Sequence, residues 1–469
     1  MATNAGANRD WGRKLVNRLL RPQARPDDLR ALGDQSAKLR QSGWWHSFTF
    51  PDGEQVEGVR SELEMRQHLD CFGLPDRLDG KRVLDIGAWD GWFSFEMERR
   101  GAAVTALDCW DNPNFHRAKA KFGSAVRYVQ SEVYDIDPAT LGTFDIVLFF
   151  GVLYHLKHPL LALEKVCAVT EDLALIETFV TDEHSAGNPL APPSLEFYET
   201  GELSGQVDNW TGPNLACLLA FCRVAGFILP DLRACRDHRA FVLCQRTWPE
   251  PQPASGLAPI LEKIEHARFG GINFDSRQDE YFTAWFRWQG ERSEREHLRL
   301  KVGRFGCVPL SVTPNEQDPS LWQATAKVPP GLAPGYHAVT VALAQTAASN
   351  PIDLALDVHE TATALTITGV CDGQSWAPDA VHPMPDGICR VALWIAGLPR
   401  NADVGRVRVR IDGEAHRPSY VEPGAPEARV RQVNFSFVAS PAEFFELQVE
   451  VEGAVSPLVR LARLDASGS

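Results

Sequence analysis

Val83-Leu84-Asp85-Ile86-Gly87-Ala88-Trp89-Asp90-Gly91 is the stretch that decides the fold. Residues 82–87 are short, apolar and β-branched and end in glycine, which reads as a buried strand. Gly87 and Gly91 lack side chains, so the backbone of the loop they frame can come close to a ligand. Asp85 and Asp90 set carboxylates beside that loop. Such a loop suits a ligand carrying an ammonium group. It disfavours a pyrophosphate, which seeks a helix N-terminus free of neighbouring anions.

Working outward, apolar residues recur at helical spacing from Trp92 to Met97, and Gly101 closes that helix. Further strands are expected at 104–107, 126–129, 146–150 and 173–176, with helices between them, notably 159–169. A helix at 213–225 and a last strand at 240–244 complete the pattern. Strands alternating with helices predict an α/β domain whose parallel sheet is covered on both faces. At the end of the second strand, Asp108 is placed to accept both hydroxyls of a ribose. After the third, Val133 and Tyr134 can flank a base, and Asp135 can receive its amino group.

A chain of 469 residues exceeds one core and implies two or three domains. The Pro-rich break at 248–253 ends the α/β pattern, and beyond it strand-like alternation dominates, as at 298–302, 337–343, 407–411 and 445–451. Landmarks from Val302-Gly303 to Val341 are echoed by Asp412-Gly413 to Val451 at an offset of 109 to 110 residues. This predicts two successive β-sandwich modules. The expected organisation is a basic helical arm at 1–43, the α/β domain at 44–250, and β-rich modules at 258–347 and 348–469. Ten cysteines lack the paired rhythm of a disulfide framework or zinc site, so no metal is expected and the compartment reads as the cytoplasm. No apolar run is long enough for a membrane span, and the arginine-bearing N-terminus has no secretory pattern. Residues 1–250 hold 27 Lys and Arg against 35 Asp and Glu, which argues against a broad phosphate-binding surface. Residues 1–40 alone run the other way, with nine basic and four acidic side chains.

The order and spacing of these acids and glycines resemble the nucleoside–methionine site of class I S-adenosylmethionine-dependent methyltransferases. The likeness extends through Trp44-Trp45-His46, Pro51-Asp52-Gly53, Gly151-Val152-Leu153-Tyr154-His155-Leu156, Ile176-Glu177-Thr178 and Asn209-Trp210-Thr211-Gly212-Pro213-Asn214. Over residues 44–246 the chain is similar to the tRNA wobble-uridine 5-oxyacetate methyl/carboxymethyl transferase-like family. The resemblance implies a Rossmann-like domain with a seven-stranded, mostly parallel sheet, and S-adenosyl-L-methionine as cofactor. It implies a cofactor site built from Asp85, Gly87, Ala88, Trp89, Asp90, Gly91, Asp108, Val133, Tyr134 and Phe150. Tyr154 and Arg239 fall where the tRNA enzyme holds the extra carboxylate of its carboxymethyl donor. A lysine expected nearby is missing from Ser61-Glu62-Leu63-Glu64-Met65-Arg66, which favours the ordinary methyl donor.

An activated methyl group asks the protein mainly to align a nucleophile, with a base only where the acceptor must lose a proton. His155, Tyr154 and His46 are the candidate catalytic residues. Trp45, Arg239, Trp210, Glu177 and Asn214 are the candidate acceptor contacts. The leading expectation is methylation of a small molecule in specialised metabolism, carboxylate-bearing if Arg239 and Tyr154 clamp it, or uncharged there if Glu177 or another acid neutralises Arg239. A tRNA-modifying enzyme and a non-catalytic binding protein are the alternatives, and a homodimer stays open.

Overall fold

A computed structural model of the chain describes residue 39 and residues 42–182, 192–248, 258–288, 298–343, 346–424 and 428–464. Nearly all of the basic arm expected at 1–43 lies outside these residues. The chain divides into two compact units, Met1–Trp248 and Pro249–Ser469.

In the first unit β1 (Phe48–Thr49) and β2 (Gln55–Val56) form a small antiparallel pair ahead of helix α1 (Glu62–Asp70). There follow β3 (Arg82–Ile86), α2 (Trp92–Arg99), β4 (Ala103–Asp108), α3 (Pro113–Phe122), β5 (Arg127–Gln130) and the short α4 (Pro138–Leu141). Then come β6 (Phe144–Phe150), α5 (Pro159–Val169), β7 (Thr170–Phe179), the paired β8 (Leu195–Phe197) and β9 (Thr211–Pro213), α6 (Leu215–Ala225), β10 (Leu229–Arg236) and β11 (Arg239–Gln245). The expected seven-stranded sheet is there, in the order β10-β11-β7-β6-β3-β4-β5. Its five strands from β7 to β5 are parallel; β11 runs antiparallel to β7 and to β10.

The near-continuous apolar strands are explained by burial on both faces. Leu84, Ile86, Val147, Phe149 and Ile176 enter one core, while Val83, Ile146, Leu148, Phe150 and Leu175 enter the other. Successive side chains point to opposite sides of the sheet, so both parities must be apolar. Helix starts follow local chemistry. Ser61 and Glu64 form a reciprocal capping box on α1, and Asn112 caps α3 just ahead of Pro113. The helix expected from Pro213 begins at Leu215 instead, because residues 211–213 pair with β8 and Asn214 supplies the cap. Strand β10 carries alternating exposed residues and escaped the apolar pattern.

The second unit consists of strands. Ile260–His266, Tyr281–Arg287, Leu321–Lys327 and Pro309–Pro314 make one sheet in that order. Asn273–Phe274, Ile352–Leu356, Gly335–Leu343, Leu298–Val302 and Phe305–Cys307 make another, and both contribute to a single apolar cluster. The same arrangement recurs with Thr366–Asp372, Ile388–Ala396, Val430–Val438 and Tyr420–Val421, facing a sheet that begins Ala380–Val381, Val459–Arg463, Phe444–Val451, Val407–Ile411 and Glu414–His416. Even the parallel pairing of the short second strand with the last one is repeated. Trp285 faces Gln323 across one sheet, as Trp394 faces Gln432 in the other. One step earlier along those strands the fillings differ: Trp322 is buried in the first cluster, and Arg431 is buried at the matching position of the second copy. The Arg431 guanidinium donates to the carbonyls of Pro399, Ala402 and Glu422. The strand Ile352–Leu356 completes the first copy, so its core runs past the boundary expected at residue 347.

Candidate active site

The carboxyl ends of β3, β4, β6 and β7 meet at one edge of the first unit, where open α/β sheets bind ligands. A groove of about 450 Å³ lined by Arg82, Val104 and Phe144 lies at the opposite, amino end of the strands, and its lining holds no imidazole or thiol. The candidate residues gather at the carboxyl edge.

Strand β3 turns into α2 through Gly87 and Gly91, both with positive φ. A Cβ on Gly87 would come within 2.3 Å of a Val152 methyl, and one on Gly91 would strike the Phe95 and Phe115 rings at 2.7 Å. Close packing as well as backbone conformation therefore demands these glycines. Between them Trp89 takes a left-handed conformation with φ of 54°. Its N–H donates to Oδ2 of Asp108 at 2.9 Å, and the Trp110 N–H donates to Oδ1 at 3.0 Å. One lone pair on each carboxylate oxygen remains for a further donor. The two indoles lie 5.2 Å apart and are 36% and 50% exposed, so an open aromatic surface flanks this acid. Sequence reasoning missed Trp110, although its position two residues past Asp108 was a readable signal.

The two acids of the decisive stretch face inward. Asp85 is buried and accepts a 2.6 Å hydrogen bond from Ser94 Oγ; burial pushes its carboxyl up to about 6, with Ser94 opposing. Asp90 is fully buried and serves the chain itself. It accepts from the N–H groups of Trp45 (2.8 Å) and His46 (3.0 Å), and from the His46 ring at Nδ1. Where a ligand ammonium was expected at Asp90, the structure puts an imidazole and two backbone amides. The segment 44–46 is thereby tied over the loop.

Around the ends of β6 and β7 lies an aromatic niche. His68 of α1 contacts the rings of Phe93 (5.1 Å), Phe150 (4.5 Å) and Phe241 (4.8 Å). Its Nε2 is buried without a hydrogen-bond partner, and burial pushes its pKa down to about 4. His68 reads in the sequence as part of an amphipathic helix face beside Met65 and Leu69, which is why it was overlooked. Glu177, at the end of β7, is buried and takes Nε and Nη2 of Arg239, the latter at 2.8 Å. Burial alone would raise the Glu177 carboxyl, but the adjacent guanidinium outweighs it and holds it below its ordinary value. The Arg239 guanidinium also stands 4.8 Å from the Tyr154 ring, and both side chains flank Gly151. Arg239 and Tyr154 are thus brought together, but the carboxylate on the Arg239 fork is the protein's own.

His155 donates from Nδ1 to the Asp208 carbonyl at 3.1 Å, which leaves Nε2 as the unprotonated nitrogen of the neutral ring. Burial lowers its pKa. Trp210 receives the Lys157 ammonium 4.1 Å from its ring centre. Val133 is buried and Tyr134 accepts the His158 N–H at its hydroxyl. Asn214, expected to touch an acceptor, is spent on structure: its carbonyl oxygen accepts from Cys217 and Ser194, and its amide donates to Pro192. Among the described residues no cluster of three or more His, Cys, Asp or Glu is placed to hold a metal ion, and no helix is long and apolar enough to cross a membrane.

Residues 60–214 match the family model described as a methyltransferase domain. The chain is 32% identical over 137 residues to the ubiquinone biosynthesis O-methyltransferase of Vibrio campbellii, covering 28% of this chain and 54% of that protein. It is 30% identical over 230 residues to the tRNA U34 carboxymethyltransferase of Pseudomonas savastanoi pv. phaseolicola, covering 45% and 66%. The chain thus spans about half to two-thirds of the length of these curated relatives. A solved structure, the N-terminal domain of EvdMO1 with SAH bound, aligns at 21% identity with a TM-score of 0.35, over 45% of this chain and 95% of that one.

The residues present fit S-adenosylmethionine. Asp108 keeps one acceptor site on each oxygen, matching a ribose diol, beside a surface of two indoles that suits a base.

Proposed function

We propose, from the premise that residues 60–214 are a class I methyltransferase domain served by S-adenosylmethionine, that the chain is an enzyme methylating a small molecule. Two observations support this reading: the acidic balance of residues 1–250 disfavours an RNA-binding surface, and Arg239 already has the Glu177 carboxylate on its fork. A guanidinium so neutralised is a poor anchor for the extra carboxylate of a carboxymethyl donor. It is equally poor for an acidic acceptor, so the acceptor is uncharged where it meets Arg239.

Asp108 would hold the ribose. Val133, Tyr134 and Phe150 would wall the cofactor, with Gly87, Ala88, Trp89 and Gly91 forming the loop beneath it. Trp45 and Trp210 would line the acceptor's approach. When bound, the cofactor supplies a methyl group already activated for transfer; the protein aligns the acceptor and keeps water out. We place the enzyme in the cytoplasm and in specialised metabolism, and read the strand-built unit as two accessory β-sandwich modules.

The likeness to tRNA U34 carboxymethyltransferases supports a second reading, RNA modification. Calorimetry with S-adenosylmethionine and its carboxylated form, followed by a salt titration with tRNA, separates the two. Our reading expects the ordinary cofactor to bind better and no salt-sensitive tRNA complex at moderate ionic strength. Preference for the carboxylated donor, or tRNA affinity falling steeply with salt, would reverse the order.

A further inference from the structure

His46 was singled out by its aromatic neighbours, but its surroundings give it a sharper meaning. Asp90 receives three contacts from one short segment, and one of them is the imidazole Nδ1. A carboxylate on Nδ1 fixes the ring so that Nδ1 carries the proton and Nε2 presents its lone pair. It also stabilises the imidazolium that forms when Nε2 takes a proton. A base oriented by a third group is the arrangement that activates hydroxyl nucleophiles on unrelated folds. Here the dyad sits on the cofactor loop itself, since Asp90 directly precedes Gly91 and α2. The His46 ring packs edge-on against Phe93 at 5.6 Å, and His68 packs against the same Phe93. Two imidazoles therefore border one aromatic niche beside the ends of β3 and β6. The buried, unpartnered Nε2 of His68 is an independent sign that the niche is built to receive a hydrogen-bonding ligand.

The geometry points to His46, oriented by Asp90, as the proton acceptor of the transfer, and therefore to an acceptor that reacts through an O–H group. This rests on the methyltransferase reading above. As the acceptor oxygen forms its bond to the methyl carbon, the carbon–sulfur bond breaks and its electron pair stays on sulfur, which becomes a neutral thioether. The hydroxyl proton passes to His46 Nε2 and later to solvent. Asp90 is a positioning residue.

Sinefungin tests this without knowledge of the acceptor, because it carries an amine where the cofactor carries its reactive methyl. A lone pair facing that position receives a hydrogen bond from the amine. The full chain should bind sinefungin about tenfold or more tighter than S-adenosylhomocysteine, the scale of one charge-assisted hydrogen bond. His46→Asn keeps a donor toward Asp90 but removes Nε2. It should bind S-adenosylhomocysteine as before and lose the preference. His46→Gln, whose longer amide reaches the Nε2 position, should restore part of it, which a merely structural residue would not do. Asp90→Asn should weaken the preference, and His155→Asn should leave it intact. Wild-type protein without the preference, a preference that survives His46→Asn, or one that vanishes in His155→Asn would overturn the assignment. Failure of the wild type to bind either compound would instead overturn the methyltransferase reading.

Discussion

The Glu177 carboxylate and the Arg239 guanidinium meet fork to fork at the end of β7, one 4% and the other 29% exposed. With the Glu177 carboxylate this far from water, the pair is costly to break from one side, because the survivor keeps its charge and loses its partner.

Glu177→Gln should therefore destabilise the first unit by about 3 kcal/mol, read from denaturant midpoints at neutral pH. The double variant Glu177→Gln/Arg239→Met should recover much of that loss. The native carboxyl is held below its ordinary value, so its contribution is present at neutral pH and fades in acid. A double variant as unstable as the single one would mean that packing, not charge, governs the site.

His68 should give a second acid-sensitive term of a different kind. Its pKa is pushed down to about 4 in the folded chain, chiefly by burial, so the unfolded chain binds the proton more readily. Stability is complete above the ordinary histidine range and falls as pH drops from about 6.5 toward 4. Between pH 7 and pH 5 the loss should be about 2 kcal/mol, and His68→Phe should remove it. Parallel curves for the variant and the wild type would place the titrating group elsewhere.

Asp108→Ala should lower affinity for S-adenosylhomocysteine by about 2–4 kcal/mol, since two hydrogen bonds to a charged acceptor are lost. The loop amides of Trp89 and Trp110 also lose their anchor, so Asp108→Asn should fall between the two. Calorimetry showing unchanged affinity would put the ribose on another group.

Asn214→Ala is the contrasting case. It should cost about 1 kcal/mol as a lost helix cap, with a further penalty from the freed Ser194 and Pro192 groups, and leave cofactor affinity untouched. A selective loss of cofactor affinity with unchanged stability would return Asn214 to the site.

What the sequence made legible follows from range. The strand at 82–87, its glycine loop and the alternating two-sided apolar pattern are local, and the structure reproduces them. The place of Asp108 at a strand end was legible for the same reason. Partnerships spanning dozens of residues were not. Nothing around Asp90 announces that residue 46 will fold back onto it, and Glu177 as the neutralising partner of Arg239 is readable only as an alternative to a ligand carboxylate. Both acids looked available to a ligand because the groups that claim them are remote in sequence. His68 was hidden differently, by a helical periodicity that makes an unpartnered buried imidazole look like any core-facing residue.

The mismatch between Trp322 and Arg431 bears on how the chain avoids tangling with itself. Two neighbouring copies with one strand order invite exchange of equivalent strands during folding, a recognised failure of repeated domains. Were Val430–Val438 to dock in the first copy, Arg431 would enter a cluster where an indole belongs, away from the carbonyls of Pro399, Ala402 and Glu422. Were Leu321–Lys327 to dock in the second, Trp322 would leave those carbonyls without donors. Either swap would strand buried polar groups, so the difference at this one position weighs against exchange of strands between the two halves of the repeat.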